Sequence, residues 1–251
     1  MQKEEQLLIK RLCELSKTAY HRNIVTYSDF LNLNEQNILH SLPKDQLYTR
    51  YETFGGYELA ERQMVAFIPD ALYCEMNYPM SVLRIAPLQS KFGEELTHRD
   101  YLGAILNLGI DRSKVGDILV EGKEATLFLA VALTEFIQDE LTRVRHTSVM
   151  VTETLLTEFD YRPRYEELLG TVASVRLDSL LSLAFNSSRS KLTGLIEGGK
   201  VFVNGKLMIS NSYQPKEEDV ISVRGMGKFR YNGIRSQTKK NRLYISIHKY
   251  I

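Results

Sequence analysis

Basic residues in the last third of the chain have a spacing that suits the binding of a polyanion. Arg189 and Lys191 follow Ser188, a typical N-cap, so both cations fall in the first turn of a predicted helix. The positive end of a helix disfavours a cation there by roughly 0.3–1 kcal/mol. A phosphate reverses this balance, because it accepts hydrogen bonds from unpaired N–H groups and from both side chains. The pattern favours an anion site over two side chains that point into water.

A predicted hairpin extends this basic face. Asn204-Gly205 is the strongest short hairpin signal in a sequence, and it follows the strand-like Val201–Val203. Lys200 and Lys206 bracket this hairpin. We therefore expect both lysines and Asn204 to lie beside the helix start.

A second basic group lies farther along the chain. Arg224, Lys228 and Arg230 alternate with Phe229 and Tyr231, an arrangement that suits phosphate contact combined with base stacking. Positions in the core are nevertheless the favoured interpretation of the two aromatic residues. The cations that follow predict a mobile basic stretch before a closing strand: Arg235, Lys239, Lys240 and Arg242.

The net charge of +1 hides a strong segregation of charge. Residues 171–251 contain 14 Lys and Arg against 5 Asp and Glu, whereas residues 1–170 contain 18 against 26. The last 81 residues therefore carry +9 and the rest −8. A basic module beside an acidic body predicts a local site for a polyanion.

Several classes of function find no support in the sequence. No apolar run approaches the roughly 20 residues of a membrane span, and the start lacks the apolar core of a signal peptide. Cys13 and Cys74 lack the spacing of metal ligands, which favours a reducing cytoplasm. We therefore predict a cytoplasmic protein without a membrane partner, metal or cofactor. The histidines are scattered: His21, His40, His98, His146 and His248.

The chain divides into three predicted segments of an α+β protein. Residues 1–77 are predicted to be mostly helical, with an amphipathic helix over 2–19 and a second helix that begins at the N-cap Ser28 and ends at Pro43. The stretch 54–70 begins with a Gly-Gly turn and predicts a short helix. Residues 158–170 are polar and predict a connector.

Residues 78–160 predict a ferredoxin-like, RRM-like domain. Strand and helix patterns alternate there in the order β-α-β-β-α-β. An RRM that stacks bases needs aromatic residues on its central strands, and Phe128 is the only one on the two middle strands. Base stacking on this sheet is therefore not predicted. The expected elements are strands at 81–87, 117–120, 125–129 and 149–155 and helices at 97–108 and 131–145.

Residues 171–251 predict two short helices followed directly by the hairpin. Leu177, Leu180, Leu181 and Ala184 give the first helix its apolar face, and Asn186-Ser187 breaks it. The second helix is expected to end at Gly198-Gly199, where a left-handed residue suits glycine.

Spaced motifs in this part resemble the S4 domain. They are RLDSLL at Arg176–Leu181, SSRSK at Ser187–Lys191, LIEGGKVFVNG at Leu195–Gly205 and VISVRGMGKFR from Val220. With the upstream stretches FGGYELAERQMVAFIPD and HRDYLGAILNLGIDRSKVGDILV, the whole chain resembles the YlmH family.

The resemblance implies a protein that is not an enzyme and docks on the large ribosomal subunit, contacting rRNA and peptidyl-tRNA in ribosome-associated quality control. Arg189 and Lys191 match the binding helix of the S4 motif, and Lys200, Asn204 and Lys206 match its hairpin. Arg224, Lys228 and Arg230 match more loosely. A monomer is the expected state.

Two other interpretations stay open. The first is an RNA-modifying enzyme, either pseudouridine synthase-like or a methyltransferase, with an active site in residues 78–158. Arg176-Leu177-Asp178 resembles a pseudouridine synthase motif, but Asp178 is expected in the first turn of an S4 helix, and no glycine-rich loop suits a nucleotide cofactor. The second is a cell-division-linked adaptor, suggested only by the family.

Overall fold

The computed structural model describes residues 3–70, 76–89, 91, 93–156, 159 and 163–250, so Cys74 lies outside the described residues. The chain forms two compact units, Met1–Tyr161 and Arg162–Ile251. Within the described residues, no helix is both long and apolar enough to cross a membrane.

The first unit begins with two helices and a small antiparallel sheet. The predicted helices are confirmed, but Ser28 does not cap the second one. Asn32 and Glu35 form its capping box, while the Ser28 hydroxyl accepts from the Val65 amide at 2.9 Å. The elements are α1 (Lys3–Arg22), β1 (Thr26–Tyr27), α2 (Leu33–Ser41), β2 (Arg50–Phe54) and β3 (Met64–Ile68).

The expectation of a short helix within 54–70 is wrong. Met64–Ile68 is instead the middle strand of a three-stranded sheet in the order β1-β3-β2, and all five of its residues are buried. Five successive apolar residues show no alternation, so this stretch gives no sign of a half-exposed strand.

The ferredoxin-like domain is confirmed. Its five-stranded sheet has the order β5-β6-β4-β8-β7, with the four main strands antiparallel to their neighbours. The predicted helix over 131–145 is too long, since it ends at Glu140 and Arg143–Val144 form a short strand. The elements are β4 (Met80–Pro87), α3 (His98–Asn107), β5 (Val115–Glu121), β6 (Glu124–Ala130), α4 (Thr134–Glu140), β7 (Arg143–Val144) and β8 (Thr147–Thr154).

The second face of this sheet is covered by residues that precede and follow it in the chain. Phe128 is fully buried, with Tyr57 and Phe159 each 5.2 Å away between ring centroids. Gly56 approaches so closely that a Cβ there would lie 2.3 Å from the Phe128 ring. Phe128 is therefore a core residue, and RRM-style stacking at this position is excluded by its burial.

Residues 56–62 are called the cover below, and Asp117 of β5 and Arg62 attach them to the sheet. The Asp117 carboxylate accepts from the Tyr57 hydroxyl at 2.7 Å and from the amides of Glu61 and Arg62 at 2.7 and 3.1 Å. The buried Arg62 guanidinium donates to the Val115 carbonyl at 2.8 Å. Burial lowers the pKa of Arg62, and neighbouring carboxylates oppose that shift. Charged hydrogen bonds thus join the cover to β5.

The second unit has a six-stranded sheet in the order β11-β10-β12-β13-β14-β9. The expected connector over 158–170 is wrong for its last six residues, because the strand that begins at Tyr165 pairs along its whole length with the last strand of the chain. The elements are β9 (Tyr165–Val172), α5 (Leu177–Phe185), α6 (Arg189–Glu197), β10 (Val201–Val203), β11 (Lys206–Leu207), β12 (Val220–Val223), β13 (Gly227–Gln237) and β14 (Leu243–Tyr250).

One face of this sheet packs against α5 and α6. Phe229 and Tyr231 lie in that core, as favoured from the sequence, and the Phe229 ring meets Phe185 of α5 edge-on at 5.9 Å. Asn186, at φ +45°, ends α5 as predicted, and Gly199, at φ +68°, follows α6. We call the face toward the helices the inner face and the opposite one the outer face.

Candidate nucleic-acid interface

The start of α6 presents two cations beside a helix end that no side chain caps. Ser188 occupies the N-cap position as predicted, but its hydroxyl makes no capping hydrogen bond. Arg189 and Lys191 are both exposed. First-turn N–H groups of a helix have no partner within the helix, so an anion at this end would meet N–H donors and two cations together.

The Arg189 side chain is fixed by α5. Its Nη2 donates to the Ser179 hydroxyl at 2.7 Å, and Ser179 is buried in the first turn of α5. Beside it, the Arg176 guanidinium donates to both Asp178 oxygens at 3.2 and 3.3 Å. Asp178 is therefore a first-turn acid paired with a cation, as expected. Two guanidinium groups converge on the start of α5, one of them held from α6.

Sequence reasoning missed Ser179 as the residue that orients Arg189. A serine inside a helical motif carries no distinctive signal, and the contact joins two helices across ten residues. Holding the guanidinium in advance lowers the entropy cost of binding a phosphate.

The predicted hairpin β10-β11 is confirmed, and Asn204 has a structural role in it. Asn204 and Gly205 have φ values of +48° and +77°, as a type I′ turn requires. The Asn204 amide donates to Asp219 at 2.8 Å and accepts from the Val220 amide at 2.9 Å. Lys200 and Lys206, on either side, are exposed. Asn204 therefore shapes the hairpin that presents these lysines.

The remaining predicted residues do not all share this surface. Since Phe229 and Tyr231 enter the core, Lys228 and Arg230 project from the outer face of the sheet. Arg230 there donates to Glu218 at 3.3 Å. Arg224 is exposed near the hairpin, where its amide donates to the Lys200 carbonyl at 2.9 Å and its guanidinium lies 6.0 Å from the Phe202 ring. The predicted set is thus divided between two surfaces.

The basic stretch predicted from Arg235 to Arg242 is only partly a loop. Arg235 lies within β13 and pairs with Glu167 of β9 at 3.0 Å, and Arg242 donates to the Thr171 carbonyl at 2.9 Å. Lys239 and Lys240 lie between β13 and β14 and are exposed.

Comparison with known proteins identifies both parts of the chain. The family model described as "Putative RNA-binding domain in YlmH" matches residues 74–158, and the S4 domain model matches residues 175–221. The "Ribosome-associated protein quality control protein P2" of Bacillus subtilis (strain 168) is 27% identical over 249 residues, covering 98% of this chain and 96% of its own length. The chain therefore contains a YlmH-type RNA-binding domain and an S4 domain, and it is similar to this relative over nearly its whole length.

A solved structure agrees with this assignment. The "Cell division protein ylmH from Streptococcus pneumoniae" matches with a TM-score of 0.52 at 26% identity, covering 63% of this chain and 95% of that chain. In this chain, the range matched by the S4 model includes α5, α6 and the hairpin, so the start of α6 belongs to an RNA-binding module. Strands β9, β13 and β14 lie outside both matched ranges.

Proposed function

We propose that this protein docks on the large ribosomal subunit, contacting rRNA and peptidyl-tRNA through the start of α6, and that it acts there without catalysis. One observation carries the proposal: Arg189 and Lys191 are exposed at an uncapped helix start, with the Arg189 guanidinium already held by Ser179. This arrangement offers charged donors and helix N–H groups to one phosphate.

The hairpin and the charge of the module support the same function. Lys200 and Lys206 add exposed cations, and Arg224 lies next to Lys200 through a backbone hydrogen bond. The +9 of residues 171–251 favours approach to a polyanion, because phosphate neutralisation supplies most of the sequence-independent affinity for nucleic acids.

The choice of a ribosomal partner rests on the relative rather than on the site. The Bacillus subtilis protein is named for ribosome-associated quality control, and it aligns with nearly the whole chain. We therefore propose the same process for this protein, acting as a monomer in the cytoplasm, where ribosomes translate.

Co-sedimentation tests the proposal. Large subunits carrying peptidyl-tRNA, empty large subunits and small subunits are each mixed with the protein and with the Arg189→Ala/Lys191→Ala variant. We expect the unaltered protein to bind best to large subunits with peptidyl-tRNA and the variant to lose about ten-fold or more in affinity, since two charge-assisted hydrogen-bond donors are removed. Unchanged binding by the variant would contradict the proposal.

The matched control removes the same charge elsewhere. Lys239→Ala/Lys240→Ala also deletes two exposed cations from the module but lies outside the helix start. It should reduce binding much less. Equal losses in both variants would mean that net charge, rather than this site, determines binding.

The absence of catalysis has its own test. Nucleosides of rRNA and tRNA from cells with and without the protein are compared by mass spectrometry. Identical modification profiles are expected, and a modified nucleotide that depends on the protein would favour the RNA-modifying enzyme instead.

A further inference from the structure

The outer face of the second sheet brings aromatic and basic side chains together outside the S4 range. In the strand register, Tyr165 of β9 lies opposite Tyr250 of β14, and His248 lies opposite both Glu167 and Arg230. Each of these residues alternates with residues of the inner face, so their side chains share the outer face. The name outer patch is used below for a set of six residues: Tyr165, Glu167, Lys228, Arg230, His248 and Tyr250.

Tyr165 and His248 form a stacked pair. Their ring centroids are 4.0 Å apart and their planes 17° from parallel. The Asn232 amide nitrogen lies 3.3 Å from His248 Nδ1 and holds the imidazole in place. Tyr165 is 49% exposed, a large fraction for an aromatic ring in a paired strand. The pair is thus a fixed aromatic surface with part of one ring open to solvent.

The charges around this pair suit an anionic chain. Lys228 and Arg230 lie on the neighbouring strand β13, and Arg235 lies farther along it. The acids nearby are already paired: Glu167 accepts from Arg235 at 3.0 Å, and Glu218 accepts from Arg230 at 3.3 Å. Cations beside a stacked aromatic pair match the composition of surfaces that hold single-stranded nucleic acid.

We propose that the outer patch binds an unpaired segment of RNA, with a base stacked on Tyr165 and the phosphates toward Lys228 and Arg235. The proposal rests on the proposed function and extends it, because it adds a second RNA contact beside the start of α6. Stacking accepts any base, so this contact contributes affinity for unpaired RNA and little sequence preference.

Tryptophan fluorescence provides a direct test, because the chain contains no tryptophan. Tyr165→Trp introduces one fluorophore at the outer patch. Tyr48→Trp is the matched control, since Tyr48 is also 49% exposed but lies in the first unit. A fluorescein-labelled single-stranded RNA of 12 nucleotides, without self-complementarity, is the probe, and its anisotropy reports binding independently.

Stacking predicts that this RNA quenches Tyr165→Trp and leaves Tyr48→Trp unchanged. The same backbone carrying abasic sites should bind with little quenching. Tyr165→Ala should weaken binding of the 12-mer by about five-fold or more, whereas Tyr165→Phe should retain it, because the ring rather than the hydroxyl makes the contact.

Either of two results with the 12-mer would overturn the inference. One is binding of the 12-mer, seen by anisotropy, without quenching of Tyr165→Trp, and the other is a failure of the 12-mer to bind at all. Neither result decides the proposed function, which co-sedimentation of Arg189→Ala/Lys191→Ala tests separately. Quenching by ribosomal proteins but not by RNA would also overturn the inference and assign the outer patch a protein partner.

Discussion

Both units of the chain contain a sheet with helices on one face, and they differ in what lies on the other. In the first unit, the other face of the ferredoxin-like sheet is covered by Tyr57 and Phe159, and Phe128 is fully buried. In the second unit, the corresponding outer face carries Tyr165, which is half exposed and stacked on His248.

The difference shows when an aromatic residue in a strand is available for stacking. Phe128 occupies a central strand of an RRM-like sheet, the place where an RRM would present a ring to RNA. Gly56 and Tyr57 cover that ring. Tyr165 lies on an edge strand outside any matched RNA-binding range, yet its ring is exposed. Burial of the second face, rather than the fold class, therefore determines which ring can contact a ligand.

The largest expected effect is a loss of stability when the covered ring of Phe128 is removed. Phe128→Ala should lower the free energy of unfolding of the first unit by about 3–5 kcal/mol, because it leaves a cavity between the sheet and its cover. Calorimetry of the full chain measures this, with Tyr165→Ala as the control, since truncation of a half-exposed ring costs much less. Comparable losses in both variants would contradict the contrast between the two faces.

A smaller loss is expected where the cover is attached. Asp117→Asn should destabilise the first unit by about 2–3 kcal/mol, because a neutral amide weakens hydrogen bonds that a carboxylate accepts from Tyr57, Glu61 and Arg62. Hydrogen exchange should quicken at the amides of Glu61 and Arg62. If exchange changed equally throughout the unit, Asp117 would not act specifically on the cover.

The helices of the second unit could be predicted because each has an amphipathic pattern and a clear end signal. Asn186 and Gly199 adopt the positive φ values that their residue types favour, and Asn204-Gly205 forms the expected turn. These are local effects, so the sequence alone carries them. The start of α6 followed from the same local reasoning, whereas its role in binding RNA remains a proposal.

The strands Met64–Ile68 and Tyr165–Val172 were not predicted, for opposite reasons. Met64–Ile68 is buried on both sides, so it lacks the alternation that marks a strand. Tyr165–Val172 is an edge strand with mostly exposed side chains, and its polar sequence is typical of a loop. The outer patch was missed in turn, because it joins Tyr165 and His248, which only the long-range pairing of β9 and β14 brings together.

The two proposed RNA-binding surfaces should differ in their dependence on salt. Log affinity falls as log salt concentration rises, and Arg189→Ala/Lys191→Ala should make this slope less steep. The decrease in steepness should be about 0.7–0.9 for each phosphate that the variant no longer neutralises. Tyr165→Ala should weaken binding of the 12-mer and leave the slope nearly unchanged, because stacking releases no counterions. Fluorescence anisotropy from about 50 to 200 mM salt measures both. A reduced slope in Tyr165→Ala would mean that its ring supports a cation rather than a base.

The smallest expected effect concerns the acid within the outer patch. A hydrogen bond from Ser246, together with Arg235, holds the pKa of Glu167 below its usual range, so Glu167 stays anionic through the neutral range. Glu167→Gln removes that charge while keeping an oxygen for Ser246, and it should raise affinity for the 12-mer by about two-fold at low salt.

The Glu167 carboxylate also stabilises the fold above its unfolded pKa, and this contribution is lost as pH falls through the lower folded value. The variant should therefore be less stable than the unaltered protein at about pH 7, and this difference should shrink as pH falls below the unfolded pKa of Glu167, while its gain in affinity persists at about pH 5. A weaker affinity for RNA in Glu167→Gln would show that Glu167 orders the outer patch more than it repels phosphate.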